Sequence, residues 1–136
     1  MSVVIDASLT LTWCFEDEVT PTTDVVLDHV SETGAVVPGL WRIEVANAFQ
    51  SALRRKRISR EYRDECLARL AALPVTVDAD TDTYAWTTTL RLAESFGLTV
   101  YDATYLELAQ RCGLALATLD RELREAAATL NVPLFG

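Results

Sequence analysis

Short apolar runs alternate with longer amphipathic segments along the whole chain. The runs at residues 2–5, 35–37, 75–77 and 114–119 are made almost entirely of aliphatic residues, which is typical of buried strands. Weaker runs at residues 98–100 and 132–135 predict a brief extended segment and a last short strand. The segments between them have apolar residues at helical spacing. They predict helices at residues 7–15, 24–33, 40–56, 59–73, 81–96, 102–112 and 121–130.

The alternation of strands and helices predicts the fold class. Strands that are each followed by a helix are typical of α/β proteins with a parallel sheet. We therefore expect a three-layer α/β/α architecture with a mostly parallel central sheet. The length of 136 residues fits a single domain over residues 1–136, and the 50% of hydrophobic residues is enough for one core.

Four carboxylates lie where such a sheet would gather them at one edge. Asp6 and Asp120 each follow a predicted strand, and Asp102 begins a predicted helix after a loop. Ligands of open parallel sheets bind beyond the carboxyl ends of the strands, so we expect these three aspartates there. Glu44 lies inside the clearest helix, at the border of its apolar stripe, where an unpaired carboxylate is costly to bury.

The chemistry of these four acids indicates a hard divalent cation. Two carboxylates 4 Å apart repel each other by about 4 kcal/mol at an effective dielectric constant near 20, and a shared cation removes that repulsion. No histidine or lysine lies beside the acids to do the same. Oxygen ligands favour Mg²⁺ or Mn²⁺, and Mg²⁺ binds phosphate groups readily. The set therefore predicts metal-assisted hydrolysis of a phosphodiester.

Each acid taken alone has a simpler explanation. Asp102 and Asp120 could cap the helices that they precede, since Asp is a common N-cap. Asp6 could simply end a buried strand, and Glu44 could be a boundary residue whose carboxylate reaches water. That all four acids are incidental together is a much weaker explanation than any one of these taken alone.

The distribution of charge adds a candidate surface for a polyanion. The net charge is −8, which argues against indiscriminate nucleic-acid binding. Seven of the 12 basic residues nevertheless lie between Arg42 and Arg63, where only two acids occur, so this segment has a net charge of +5. Its centre supplies the candidate RNA contacts Arg54, Arg55, Lys56 and Arg57. The alternative is a solvated helix end whose cations complement the helix dipole.

Other classes of chemistry find no support in the chain. The single histidine, His29, lies beside Asp28 in an amphipathic helix, where we expect a surface residue, and no Gly-rich phosphate loop occurs. The three cysteines have no metal-ligand spacing, so we expect buried reduced thiols. No leader segment and no apolar run of about 20 residues is visible, which favours a cytoplasmic location.

The segments around the four acids resemble one known family. VVIDAS, IEVANAF, YDATYLELA and ATLDREL occur in the order and setting found in PIN-domain ribonucleases of the VapC-like toxin type, from toxin–antitoxin pairs. The resemblance runs over essentially the whole chain. It implies a metal-dependent endoribonuclease with Mg²⁺ or Mn²⁺ as cofactor and water as nucleophile. It also implies a homodimer, an RNA substrate and a cognate antitoxin protein. The implied catalytic and metal-binding residues are Asp6, Glu44, Asp102 and Asp120, with Ser8, Asn47 and Thr118 as supporting polar residues.

Two other functions remain open at this point. A phosphatase of the haloacid-dehalogenase kind also places an aspartate after its first strand, but it usually has a second aspartate where this chain has Ser8. A catalytically weak or inactive PIN-like module could use the acidic pocket to bind a basic partner. Metal binding, RNA cleavage and phosphate release distinguish these functions.

Overall fold

A four-stranded sheet forms the centre of the computed structural model, which describes all residues from 1 to 136. The strands are β1 (Val3–Ile5), β2 (Ala35–Val37), β3 (Val75–Val77) and β4 (Ala115–Ala117), in the order β3-β2-β1-β4. Every neighbouring pair is parallel. Eight α-helices connect and flank the strands: α1 (Ala7–Thr12), α2 (Pro21–Thr33), α3 (Trp41–Arg54), α4 (Arg60–Ala71), α5 (Thr81–Tyr84), α6 (Thr88–Phe96), α7 (Val100–Cys112) and α8 (Arg121–Thr129).

The order of the strands determines where the helices lie. The chain moves from β1 to β2 to β3 in one direction and then returns past β1 to form β4. Because crossovers between parallel strands are right-handed, this reversal places the helices before β3 on one face and the helices between β3 and β4 on the other. The three-layer α/β/α prediction with a parallel sheet is therefore confirmed. The reversal also makes the gap between β1 and β4 the topological switch point, where open α/β sheets bind ligands.

Burial explains why the strands have no alternating pattern. All three residues of β1 are buried, because β1 lies between β2 and β4 with helices on both faces. Helix α7 packs against β1 and β4 and is buried without interruption from Ala103 to Ala109. This run includes Glu107, a charged residue inside an otherwise apolar layer. None of the helices combines the length and the hydrophobicity that crossing a membrane would require.

Several predicted element boundaries are wrong, each for a local reason. Residues 81–96 form two helices instead of one, α5 and α6, and Trp86 between them is 88% exposed. Residues 98–100 are not a separate extended run, because Val100 already starts α7. Residues 132–135 form no strand and contribute only a single bridge between Leu116 and Leu134.

Two helix starts and one cysteine also differ from expectation. Thr20 and Thr23 form a capping box with Pro21 in the first turn, so α2 begins three residues earlier than predicted. Thr99 caps α7, which places Asp102 within the first turn rather than at the start. Cys14 and Cys66 are buried thiols as predicted, but Cys112 is exposed.

Candidate active site

The four predicted acids all belong to elements that meet at the switch point. Asp6 directly follows β1, and Asp120 follows β4 after Thr118 and Leu119. Asp102 lies in the first turn of α7, and Glu44 lies in the first turn of α3. Electrostatic repulsion links Asp6 with both Asp102 and Asp120, and it links Glu44 with Asp102. The tertiary structure therefore brings these carboxylates into one acidic cluster, which we call the open acid cluster.

Asp6 is the most buried member of the open acid cluster. Its side chain is an N-cap of α1, where Oδ1 accepts a hydrogen bond of 2.8 Å from the backbone N–H of Leu9. Oδ2 accepts a hydrogen bond from the hydroxyl of Thr118. Only 4% of the residue is exposed, and this burial, together with the charges of Asp102 and Asp120, raises its pKa from 3.8 to about 6.

Thr118 connects two of the acids. Besides donating to Asp6, its hydroxyl accepts a 3.1 Å hydrogen bond from the backbone N–H of Asp120. Asp120 in turn caps α8 by accepting from the backbone N–H of Leu123 at 2.8 Å. The guanidinium of Arg124 donates a 2.9 Å hydrogen bond to the carbonyl oxygen of Thr118, on the same segment between β4 and α8. Asp120 is thus a helix cap, as its simpler explanation suggested, and at the same time a member of the open acid cluster.

Glu44 is held by a residue that the sequence did not single out. The hydroxyl of Tyr105 donates to Oε1 of Glu44 at 2.5 Å, although the two residues are 61 positions apart in the chain. Tyr105 is 1% exposed, so its hydroxyl needs a partner within the protein. The available clue was its position three residues after Asp102, which puts both on neighbouring positions of one helix face.

The charges of the open acid cluster are not neutralised by the protein. None of the four carboxylates forms an ion pair with a lysine, arginine or histidine. Burial raises the pKa of Asp102, and repulsion by Asp120 and Glu122 raises it further. Burial likewise raises the pKa of Glu44, as does repulsion by Asp102. Four oxygen ligands with uncompensated negative charge are the chemistry that fits Mg²⁺ or Mn²⁺.

The carboxylates are not arranged as a finished coordination shell. No three His, Cys, Asp or Glu side chains stand in positions that would hold a metal ion. The reason lies partly in the hydrogen bonds already described, since Asp6, Glu44 and Asp120 are each directed toward a donor of the protein. Each carboxylate oxygen has a second lone pair, so these donors orient the acids and leave acceptor capacity for a ligand.

The supporting residues predicted with the acids behave differently from one another. Thr118 has the expected contact with Asp6 and Asp120. Ser8 and Asn47 are exposed, and neither side chain makes a hydrogen bond within the protein. The structure therefore shows no contact through which Ser8 or Asn47 would support the acids.

The four candidate RNA contacts are all exposed at the end of α3. Arg57 has partners within the protein, since its guanidinium lies 3.8 Å from the carboxylate of Asp17 and 4.7 Å from the centre of the Phe15 ring. Arg54, Arg55 and Lys56 form no ion pair. Three of these four basic side chains therefore have no charged partner within the protein, whereas the charge of Arg57 is partly neutralised by Asp17.

A second acidic cluster has its own cation, and sequence reasoning missed it. Arg111 donates to both oxygens of Asp78, at 2.6 and 3.3 Å, and to both oxygens of Glu107, at 2.7 and 3.2 Å. Its guanidinium also lies 4.7 Å from the centre of the Tyr84 ring. We call this group the paired acid cluster. The spacing of Glu107 and Arg111, four residues apart on one helix, was the clue in the sequence.

Comparison with known proteins agrees with this fold. A family model for the PIN domain matches residues 3–129. Ribonuclease VapC3 from Pyrobaculum aerophilum is 31% identical over 139 residues, which cover 98% of this chain and 100% of that protein. The crystal structure of PAE2754 from the same organism has a TM-score of 0.68 and 29% identity, over 93% of this chain and 87% of that one. The chain therefore belongs to the PIN domain family.

Proposed function

We propose that this protein is a Mg²⁺- or Mn²⁺-dependent endoribonuclease and the toxin of a toxin–antitoxin pair. The observation that carries the proposal is the open acid cluster: four carboxylates gathered at a switch point without any basic side chain to neutralise them. Membership of the PIN domain family and the similarity to a ribonuclease VapC support the choice of RNA as substrate. Asp6, Glu44, Asp102 and Asp120 are the proposed metal-binding and catalytic residues.

The residues around the acids prepare the site for this chemistry. A bound Mg²⁺ or Mn²⁺ would neutralise the carboxylates and supply the Lewis acidity needed to activate water and stabilise a leaving alkoxide. Leu9 N–H and Thr118 hold Asp6 in place, and Tyr105 holds Glu44. Because these side chains are oriented before any ligand arrives, little ordering cost opposes binding. Free carboxylate lone pairs can accept hydrogen bonds from the attacking water and orient it toward phosphorus.

The same site suggests how partners would interact with the protein. An antitoxin that presents a basic side chain to the open acid cluster would compete with the metal, because either cation relieves the same repulsion. We also propose a homodimer in the cytoplasm and one nuclease domain over residues 1–136; the PIN domain match to residues 3–129 supports the last point.

The proposal is tested by RNA cleavage with and without metal. The purified protein should cleave RNA with Mg²⁺ or Mn²⁺ and stop when EDTA is added. Asp6→Asn should reduce the cleavage rate by at least about 100-fold, because it removes the charge of the most buried metal-binding candidate. Asp28→Asn is the matched control, since Asp28 is an exposed aspartate in α2 and its loss should leave cleavage unchanged.

Other outcomes would identify a different function. Full cleavage by Asp6→Asn, or cleavage that EDTA does not affect, would exclude the open acid cluster as the active centre. Binding of Mn²⁺ without RNA cleavage would favour a protein-binding module. Release of phosphate from small monoesters without RNA cleavage would favour a phosphatase.

A further inference from the structure

A surface groove lies between α1 and α3 and includes basic residues at the end of α3. It has a volume of about 290 Å³. One wall comes from α1 and the residues after it, and the other wall comes from α3. The lining residues that matter here are Ser8, Ala48, Ser51, Arg55, Arg57 and Glu18. We call it the α1–α3 groove.

Two residues that line the α1–α3 groove, Ser8 and Ala48, are near neighbours in the chain of acids in the open acid cluster. Ser8 lies in the first turn of α1, two residues after Asp6. Along α3 and its C-cap residue Arg55, the residues Glu44, Ala48, Ser51 and Arg55 follow one another at spacings of four, three and four. At about 100° per residue these positions lie within roughly 60° of one another on a single face of the helix. The face that presents Glu44 therefore continues as the wall of the groove and ends at Arg55.

The groove offers free hydrogen-bond donors along its length. Ser8 and Ser51 make no side-chain hydrogen bond within the protein, and the small side chain of Ala48 leaves the passage between them open. Arg55 is exposed and has no ion-pair partner, whereas Arg57 contacts Asp17 and the Phe15 ring. Hydroxyls and arginine are the groups that proteins use to contact phosphate oxygens.

We propose that the α1–α3 groove binds the phosphodiester backbone of single-stranded RNA next to the cleaved bond, with Arg55 as its distal contact. This inference rests on the proposed nuclease function. At 1.5 Å per residue, Arg55 lies about 16 Å along α3 from Glu44, which is the rise of about five stacked nucleotides of one strand. An acidic protein segment would be attracted by Arg55, but the carboxylates of the open acid cluster would repel it. A polyanion that is cut there, with metal present, matches both ends.

The test compares two arginine substitutions in a protein that cannot cleave. In the Asp6→Asn background, Arg55→Gln should weaken binding of a single-stranded RNA about 10-fold at low salt. It should also reduce the slope of log affinity against log salt by about 1, since one phosphate contact is lost. Arg91→Gln is the matched control, because Arg91 is an exposed arginine of α6 without an ion pair. In the cleaving protein, Arg55→Gln should raise KM and leave kcat within about twofold.

Two results would overturn the inference. Equal RNA affinity and equal salt slope for Arg55→Gln and Arg91→Gln would show that the groove does not hold the backbone. Loss of antitoxin binding with unchanged RNA binding would assign the groove to a protein partner. The failure of the proposed function is a separate observation: it is the absence of RNA cleavage by the unsubstituted protein with Mg²⁺ or Mn²⁺.

Discussion

The two acidic clusters of this protein each contain one deeply buried acid, and they are chemically opposite. Glu107 of the paired acid cluster is 3% exposed, and Asp6 of the open acid cluster is 4% exposed. In the paired acid cluster, burial raises the pKa of Asp78. The hydrogen bonds from Arg111, the backbone N–H of Asp80 and Thr81, together with the charge of Arg111, outweigh burial and hold that pKa below its ordinary value. The bonds to Glu107 and Asp78 in turn raise the pKa of Arg111. In the open acid cluster, burial and mutual repulsion raise the pKa of Asp6, Glu44 and Asp102.

The difference shows that burial alone does not mark a functional carboxylate. What distinguishes the open acid cluster is that the protein supplies hydrogen-bond donors to its acids but no positive charge. Such an arrangement costs stability in the absence of a ligand, and groups whose pKa is perturbed in this way are typical of functional sites. The paired acid cluster satisfies its charges internally, so we interpret it as part of the scaffold. The predictions below test this division.

The largest expected effect comes from removing the cation of the paired acid cluster. Arg111→Met should reduce the free energy of unfolding by about 3–5 kcal/mol, because it leaves Glu107 and Asp78 as buried charges without a partner. Chemical denaturation in urea measures the change. The cleavage rate per folded molecule should remain that of the unsubstituted protein.

A compensating substitution separates charge from packing in this experiment. Adding Glu107→Gln to Arg111→Met should recover part of the lost stability, since one of the two unpaired charges is removed. If Arg111→Met cost less than about 1 kcal/mol, the paired acid cluster would not be a structural element. If it abolished cleavage in a fully folded protein, the division between the two clusters would be wrong.

The open acid cluster should make stability depend on pH in the opposite direction from a paired acid. The pKa of Asp6 is about 6 in the folded protein and 3.8 when unperturbed, so the folded state holds its proton more tightly. In EDTA, the free energy of unfolding should therefore fall as pH rises from about 4 to about 6, by up to about 3 kcal/mol for this group. The pKa of Asp78 is lowered in the folded protein, so its contribution to stability has the opposite pH dependence. That contribution is lost as the pH falls below the window in which Asp6 titrates.

Urea denaturation of the protein and of Asp6→Asn across this pH range tests the prediction. Asp6→Asn should be the more stable protein near pH 7 without metal, and its stability should be flatter between pH 4 and 6. Addition of Mn²⁺ at pH 7 should stabilise the unsubstituted protein and have little effect on Asp6→Asn. If the free energy of unfolding depended on pH in the same way in both proteins, the charge of Asp6 would not destabilise the folded state.

The smallest expected effect concerns the residue that orients Glu44. Tyr105→Phe removes only the hydroxyl that donates to Glu44 and should lower Mn²⁺ affinity about 10-fold, measured by calorimetry, while the protein stays folded. Tyr62→Phe is the matched control, because the Tyr62 hydroxyl donates to the backbone carbonyl of Cys14 and not to an acid. Equal Mn²⁺ affinity of the two variants would show that Tyr105 does not prepare Glu44 for the metal.

The pattern of apolar and polar residues was sufficient to predict most of the secondary structure. It failed at helix starts that are determined by one N-cap side chain. The apolar runs predicted all four strands, because buried parallel strands need aliphatic residues on both faces. Thr99 and Thr20 moved two helix starts, since a side-chain cap satisfies the free N–H groups at a helix start. Trp86 is 88% exposed, which its neighbours in the chain do not reveal.

The sequence by itself determined the α/β fold, the parallel sheet and the four acids, since aliphatic runs, helical spacing and residue type are local properties of the chain. Only the tertiary structure decided which buried acids keep an arginine and which do not, because Asp78 and Arg111 are 33 positions apart and meet through packing. It likewise decided that Tyr105 holds Glu44 and that Arg55 shares a groove with Ser8. Such contacts depend on how helices cross the sheet, and the spacing of residues along the chain does not specify that geometry.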